Sequence, residues 1–258
     1  MKIVILTSYK HIYADIVIRK LFSALPDHQY LIIYQKALVA GKSKISGLQY
    51  YWRKSGARYV MAQVIKQLII LLFYRFLKPD KNIQTEIWEN HKLDDIEKII
   101  SDYQPDVILS IYSKYKLSDN ILSAASKYSI NIHPSLLPAY KGVSPTFWVL
   151  ANDEKETGVS IHKLTKSFDE GSIVAQKNIY IDKNDSEHSL YLKCSMLGSG
   201  LVIDTLNIIN TNQPLTKLSE NKSSSYFSLP DRSAVRKFKN NGRSFFKLSE
   251  LSKKPVLN

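Results

Sequence analysis

The chain of 258 residues, 44% hydrophobic and 23% charged with nine Gly and nine Pro, has an ordinary globular composition that excludes a disordered or repetitive polymer. Its lone cysteine, Cys194, excludes an internal disulfide and a cysteine-based zinc cluster, and matches a reducing, cytoplasmic compartment. The net charge of +13 is concentrated in two places, a stretch from Lys36 to Lys78 free of acidic residues and the segment after Lys217, leaving the rest slightly acidic.

In chain order, the opening MKIVILTSYK is too short in its apolar run for an export signal and reads as a first buried strand at 3–6. A helical pattern at 16–25 and a second strand at 30–34 follow. Residues 36–81 form a basic, helical insertion. Its most apolar part, 59–77, is interrupted by Gln63, Lys66, Gln67 and Arg75, which argues against a membrane span. Val60, Val64, Leu68, Leu71 and Leu72 share one helical face, expected to bury against the core or a second copy in a homodimer. The neighbouring Tyr50, Tyr51, Trp52, Arg53 and Lys54 also suit peripheral contact with an anionic membrane.

Leu93, Ile96, Ile99 and Ile100 predict a helix, and strands are expected at 107–111, 130–132, 158–164 and 173–181. Asp185 or Ser186 can cap a helix carrying Leu190, Cys194, Leu197, Leu201 and Ile208 on one face. A Ser-rich loop and a short basic helix at 234–240 complete the chain. Strands alternating with helices predict an α/β, doubly wound, mostly parallel sheet with ligands beyond the strand carboxyl ends. The catalytic domain is expected to span 1–212 and the basic appendage 213–258.

Chemistry concentrates between Ser129 and Ile181. Asn131 and His133 leave a short strand one residue apart, so their side chains share a face. Asp169 lies in a polar turn between two later strands, where it could face the same crevice. An amide, an imidazole and a carboxylate can run acyl transfer to an amine: Asn131 donates to the developing oxyanion, and protonated His133 adds a second donor. Asp169 favours that protonated ring and accepts the amine proton, directly or through water. The segment has no Gly-x-Ser-x-Gly elbow and no cysteine, so a covalent enzyme intermediate is not required.

The series Asn-x-His-Pro-Ser-Leu-Leu-Pro, Tyr-Lys-Gly, Thr-Gly-Val-Ser-Ile-His and Asp-x-Gly, between Pro105 and Ile181, closely resembles the folate-dependent formyltransferases. That family includes glycinamide ribonucleotide, methionyl-tRNA and sugar N-formyltransferases. The resemblance implies a Rossmann-like domain, 10-formyltetrahydrofolate as co-substrate, no metal, and the roles above for Asn131, His133 and Asp169. It further implies a pterin pocket built from Leu109, Ser110, Ile111 and Tyr112 and from Lys166, Ser167 and Phe168. His162 matches a histidine common in the family but lies in mid-strand, and a structural role is expected for it.

The first strand ends in Thr7, Ser8, Tyr9 and Lys10, without the glycines by which a backbone loop approaches a phosphate closely, which weakens the glycinamide ribonucleotide reading. The residues after Asn212 leave little room for the barrel of methionyl-tRNA enzymes. A phosphate-bearing, nucleotide-linked amino sugar is therefore the expected acceptor, with Ser8, Tyr9 and Lys10 as contacts, and a lipid-linked sugar is a variant of it. A formyltetrahydrofolate hydrolase and a non-catalytic nucleic-acid binder are the alternatives, the latter without any recognised RNA or DNA motif.

Overall fold

The computed structural model describes residues 1–36, 43–73, 83–219 and 222–250. The chain opens with β1 (Lys2–Ser8), α1 (Ile12–Ala24) and β2 (Gln29–Gln35), then α2 (Lys44–Ser55), α3 (Ala57–Phe73) and β3 (Gln84–Ile87). Next come α4 (Leu93–Tyr103), β4 (Val107–Ile111), α5 (Asp119–Ser123), β5 (Tyr128–His133), β6 (Lys141–Gly142) and α6 (Pro145–Ala151). The remainder is β7 (Glu156–Lys163), β8 (Ile173–Tyr180), α7 (Glu187–Asn210), β9 (Tyr226–Phe227) and α8 (Arg232–Asn240).

Seven strands form one sheet in the order β3-β2-β1-β4-β5-β7-β8. The first five in that order run parallel, and β7 and β8 are antiparallel to their neighbours. The chain winds outward from β1 to β3, then restarts on the other side of β1 with β4. That reversal leaves a crevice beyond the carboxyl ends of β1 and β4. The arrangement is the doubly wound, mostly parallel, Rossmann-like α/β fold expected from the sequence.

The near-continuous apolar strand runs follow from burial on both faces. Ile3 and Ile5 of β1, Ile32 of β2 and Leu109 of β4 pack under α1 and α7, against Val17, Ile18, Cys194 and Val202. Their alternating neighbours Val4, Leu6, Leu31 and Ile108 pack against Ile96, Ile100 and Ile121 on the other side. The edge strand β3 was not anticipated, because its short sequence QTEI has no apolar alternation; it forms by pairing with β2.

Ser186 caps α7 by accepting from the Ser189 N–H at 3.0 Å. Leu190, Cys194 and Leu201 are buried as expected, but Ile208 is exposed, and Val202, Leu206 and Ile209 carry the buried stripe instead. Among the described residues α7 is the one helix long and apolar enough to cross a membrane, and half of it is buried in the fold. In the C-terminal segment, β9 pairs with β6, and Phe238 of α8 stacks on Phe147 of α6 at 4.8 Å. Leu229, Val235 and Phe245 join that second core.

The expected insertion is helical within 43–73; its parts at 37–42 and 74–82 lie outside the described residues. Of the two coverings expected for its apolar stripe, the core is not the one the chain uses. Val60 is buried, but Val64, Leu68, Leu71 and Leu72 face outward, the last 79% exposed. The inward side carries Tyr59, Lys66 and Ile70. The cause is a buried carboxylate at the start of α7: Glu187 accepts from Lys66 Nζ and from Gln63 Nε2, each at 2.9 Å. A buried charge needs a counter-charge, so α3 turns its polar residues in and leaves its apolar stripe out.

Candidate active site

β5 ends at the crevice and delivers Asn131 and His133 there on one face. β7 pairs antiparallel with β5 in a register that sets His162 opposite Asn131 and Ser160 opposite His133. Asn131 Nδ2 lies 3.0 Å from His162 Nε2, while His162 Nδ1 meets the Lys163 carbonyl at 2.9 Å. A ring protonated on Nδ1 satisfies both contacts, accepting one amide N–H of Asn131 and leaving the second for the crevice. His162 thus sits beside the cluster and positions the Asn131 amide, a more specific part than the structural role expected. The available signal was the antiparallel register, which single-strand patterning does not reveal.

Asp169 comes from the turn between β7 and β8. Its backbone has φ of 57°. A Cβ on Gly171 would run into the Lys163 carbonyl, so the Asp-x-Gly sequence is needed for the turn to close. The carboxylate accepts the Gly142 N–H at Oδ2 (2.8 Å), and its Oδ1 lies 3.3 Å from His133 Nδ1 and 3.5 Å from His162 Nε2. The loop after β5 is fixed as well. Ser160 Oγ donates to the Ser135 carbonyl and accepts the Leu137 N–H, while Ser135 Oγ donates to the Ala139 carbonyl.

His133 is held as a cation by geometry. Its Nδ1 faces Asp169 and its Nε2 lies 2.9 Å from the Tyr140 carbonyl, so both ring nitrogens face acceptors. Burial works against protonation, but the Asp169 charge, the hydrogen bond to Asp169 and the Tyr140 carbonyl outweigh it and raise the imidazole pKa. Burial would likewise raise the Asp169 pKa. The His133 charge, together with hydrogen bonds from His133 and the Gly142 N–H, overrides it and holds the carboxyl well below the usual range. Because both His133 N–H groups are engaged, the ring contributes a fixed positive charge rather than the free second donor expected.

Two signs follow for pH. The stability that His133 gains from the pair is complete below its ordinary pKa of 6.5 and is lost as pH rises through the elevated folded value. The Asp169 contribution is present above its ordinary 3.8 and disappears as pH falls through the depressed value. Replacing Asp169 with Asn removes the charge that raises His133 and leaves burial opposed mainly by the Tyr140 carbonyl, so the titration midpoint of His133 should move to lower pH. Proton NMR titration of the imidazole in both proteins checks this; an unmoved midpoint would contradict the pairing.

The other expected site residues divide. Leu109 and Ile111 are spent in the core, and the Ile111 and Tyr112 carbonyls already accept from Thr7 Oγ1 and Ser8 Oγ. Ser8 is therefore buried as a stitch between β1 and β4, as is Ser110 within the sheet, while Tyr9 and Lys10 are exposed. The Lys10 and Lys36 ammonium groups lie 5.6 and 5.1 Å from the Tyr9 ring. Tyr112, in the left-handed region at φ 54°, packs beside His11 and Tyr191. Lys166, Ser167 and Phe168 form an exposed loop facing the β4–α5 loop: Lys166 pairs with Asp119 at 2.6 Å, and Lys116 lies 5.8 Å from the Phe168 ring. Among the described residues no group of three or more His, Cys, Asp or Glu is placed to hold a metal ion.

The family model described as Formyl transferase matches residues 2–206, which include the whole cluster. The chain belongs to the formyl transferase family. It is 40% identical over 133 residues to the bifunctional polymyxin resistance protein ArnA of Wigglesworthia glossinidia brevipalpis, a match covering 52% of this chain and 19% of that protein. The chain thus spans about a fifth of the curated relative it matches. Among solved structures, an N-formyltransferase from Helicobacter canadensis, in complex with folinic acid and dTDP-3-aminofucose, superposes with a TM-score of 0.59 at 21% identity, over 96% of this chain and 82% of that one. A phosphoribosylglycinamide formyltransferase from Bacillus halodurans superposes at 0.58 with 18% identity, over 85% and 100%. These likenesses establish the shared fold of the formyltransferase.

Proposed function

We propose that this formyltransferase moves the formyl group of 10-formyltetrahydrofolate onto the primary amine of a nucleotide-linked amino sugar. The observation that carries the reading is the convergence of Asn131, His133, His162 and Asp169, from β5, β7 and the β7–β8 turn, on the crevice end of β5. In the reaction the neutral amine attacks the formyl carbon, and the carbonyl oxygen becomes an oxyanion. The free Asn131 N–H and the His133 charge stabilise it, inside a site already fixed by its own hydrogen bonds. Asp169 accepts the proton released by the amine, directly or through water. The carbon–N10 bond then breaks, N10 takes up a proton, and a formamide and tetrahydrofolate leave.

The exposed Phe168 ring, on a loop facing the β4–α5 loop, offers a flat apolar surface for a pterin or its aryl extension. The aromatic and cationic edge formed by Tyr9, Lys10 and Lys36, beyond the carboxyl ends of β1 and β2, suits a base or sugar with phosphates. The Helicobacter neighbour's structure holds ligands of these two classes, folinic acid and dTDP-3-aminofucose. The test is a panel of amino-sugar nucleotides incubated with the protein and 10-formyltetrahydrofolate, following tetrahydrofolate and the formylated sugar. Acceptor-dependent formation of both is expected. Formate release at the same rate without an acceptor would replace the reading with a hydrolase.

A further inference from the structure

We propose that the outward face of α2 and α3 is a docking surface for an anionic lipid bilayer. The face is built by the sequence and left uncovered by the fold. On α3, Met61, Val64, Ile65, Leu68, Leu71 and Leu72 recur at helical spacing and are all exposed, Leu68 at 54%. On α2, Ile45, Leu48 and Trp52 are exposed too, Ile45 at 74%. A continuous apolar stripe of this size on a soluble protein marks an interaction site rather than ordinary surface. It is not an incidental consequence of a poorly attached helix. Tyr59 and Ile70 are buried, and Lys66 is anchored to Glu187 at 2.9 Å, so the orientation of α3 is fixed from within.

Charge selects the occupant. No acidic residue occurs between Asp27 and Asp80, while Lys36, Lys42, Lys44, Arg53, Lys54, Arg58, Arg75 and Lys78 are basic, Lys66 being a further cation that Glu187 neutralises inside. Arg53 and Arg58 are exposed on the two helices themselves. A second copy of this chain would bring two such unbalanced cationic segments together, and that repulsion opposes a symmetric contact. An anionic bilayer offers the complement, with apolar residues entering the acyl boundary, the exposed Trp52 at the interface and the basic residues among the headgroups. The placement is also specific. Ile70 packs with Ile12 and Tyr13 at the start of α1, immediately beyond the carboxyl end of β1, so the face lies at the catalytic edge of the sheet. Docking there would hold the crevice mouth close to the lipid surface. It does not depend on which amine is formylated.

The test is flotation of the purified full chain with vesicles of phosphatidylcholine alone and of phosphatidylcholine with phosphatidylglycerol. Co-flotation is expected with the anionic vesicles only, weakened by added salt. The double substitution Ile65→Ser and Leu68→Ser, at exposed positions, should lower vesicle partitioning at least about 10-fold. Circular dichroism and the thermal transition of the variant should match the parent, which separates lost docking from misfolding. Failure of the parent to float with anionic vesicles, or equal flotation of the folded variant, overturns the proposal. So does a stable dimer in light scattering that the same substitutions dissociate, since a second copy would then be the occupant.

Discussion

Formyl transfer by Asp169→Asn is expected to fall at least about 100-fold, equivalent to about 2.7 kcal/mol of lost transition-state stabilisation. The substitution keeps the size of the side chain, and an amide oxygen can still accept the Gly142 N–H now held by Oδ2 at 2.8 Å. It removes the negative charge 3.3 Å from His133 Nδ1, and burial then drives the ring towards its neutral form. The positive charge facing the oxyanion and the acceptor for the amine proton are lost together. Because both act mainly after attack begins, kcat should carry most of the loss and KM little. Steady-state kinetics with saturating folate measures this, and activity within a few-fold of the parent would mean that the reacting carbon lies elsewhere.

Lys66→Met should destabilise the fold by about 3–5 kcal/mol, because it strands the Glu187 carboxylate in the interior without its cation. Both side chains are more than nine-tenths buried, so solvent does little to screen the loss. The companion Lys66→Met with Glu187→Leu removes the pair together and should return most of that stability. Urea denaturation of the three proteins checks the expectation. Equal destabilisation in the single and double variants would show that Lys66 acts through its methylene packing rather than its charge.

What was legible in the sequence follows the range of the forces involved. Apolar runs such as 3–6 and 107–111 declare themselves because both faces of a central strand are covered, so every residue reports burial. Asn131 and His133 were readable as a pair because strand periodicity is local. The Asp-x-Gly turn was readable because glycine is needed where the Gly171 backbone meets the Lys163 carbonyl. The contact of His162 with Asn131 was not readable because it depends on a cross-strand register with a residue 31 positions away. The orientation of α3 was left open for the same kind of reason. Its partner Glu187 lies 121 residues along the chain, and hydrophobic periodicity alone cannot choose between the core and an outside partner for the apolar stripe.

The antiparallel ladder between β5 and β7 makes the catalytic cluster unusually intolerant of changes in chain length. Deleting one residue within β7 would rotate every later side chain to the opposite side of the sheet, withdrawing the imidazole that steadies the amide. The solvent-facing side chains of 165–168 lie outside that ladder and can be exchanged at fixed length, whereas a change of length there would move Asp169. If this stretch meets the one-carbon donor, as proposed, substitutions there should alter donor affinity while leaving the strand-borne amide and imidazole where they are.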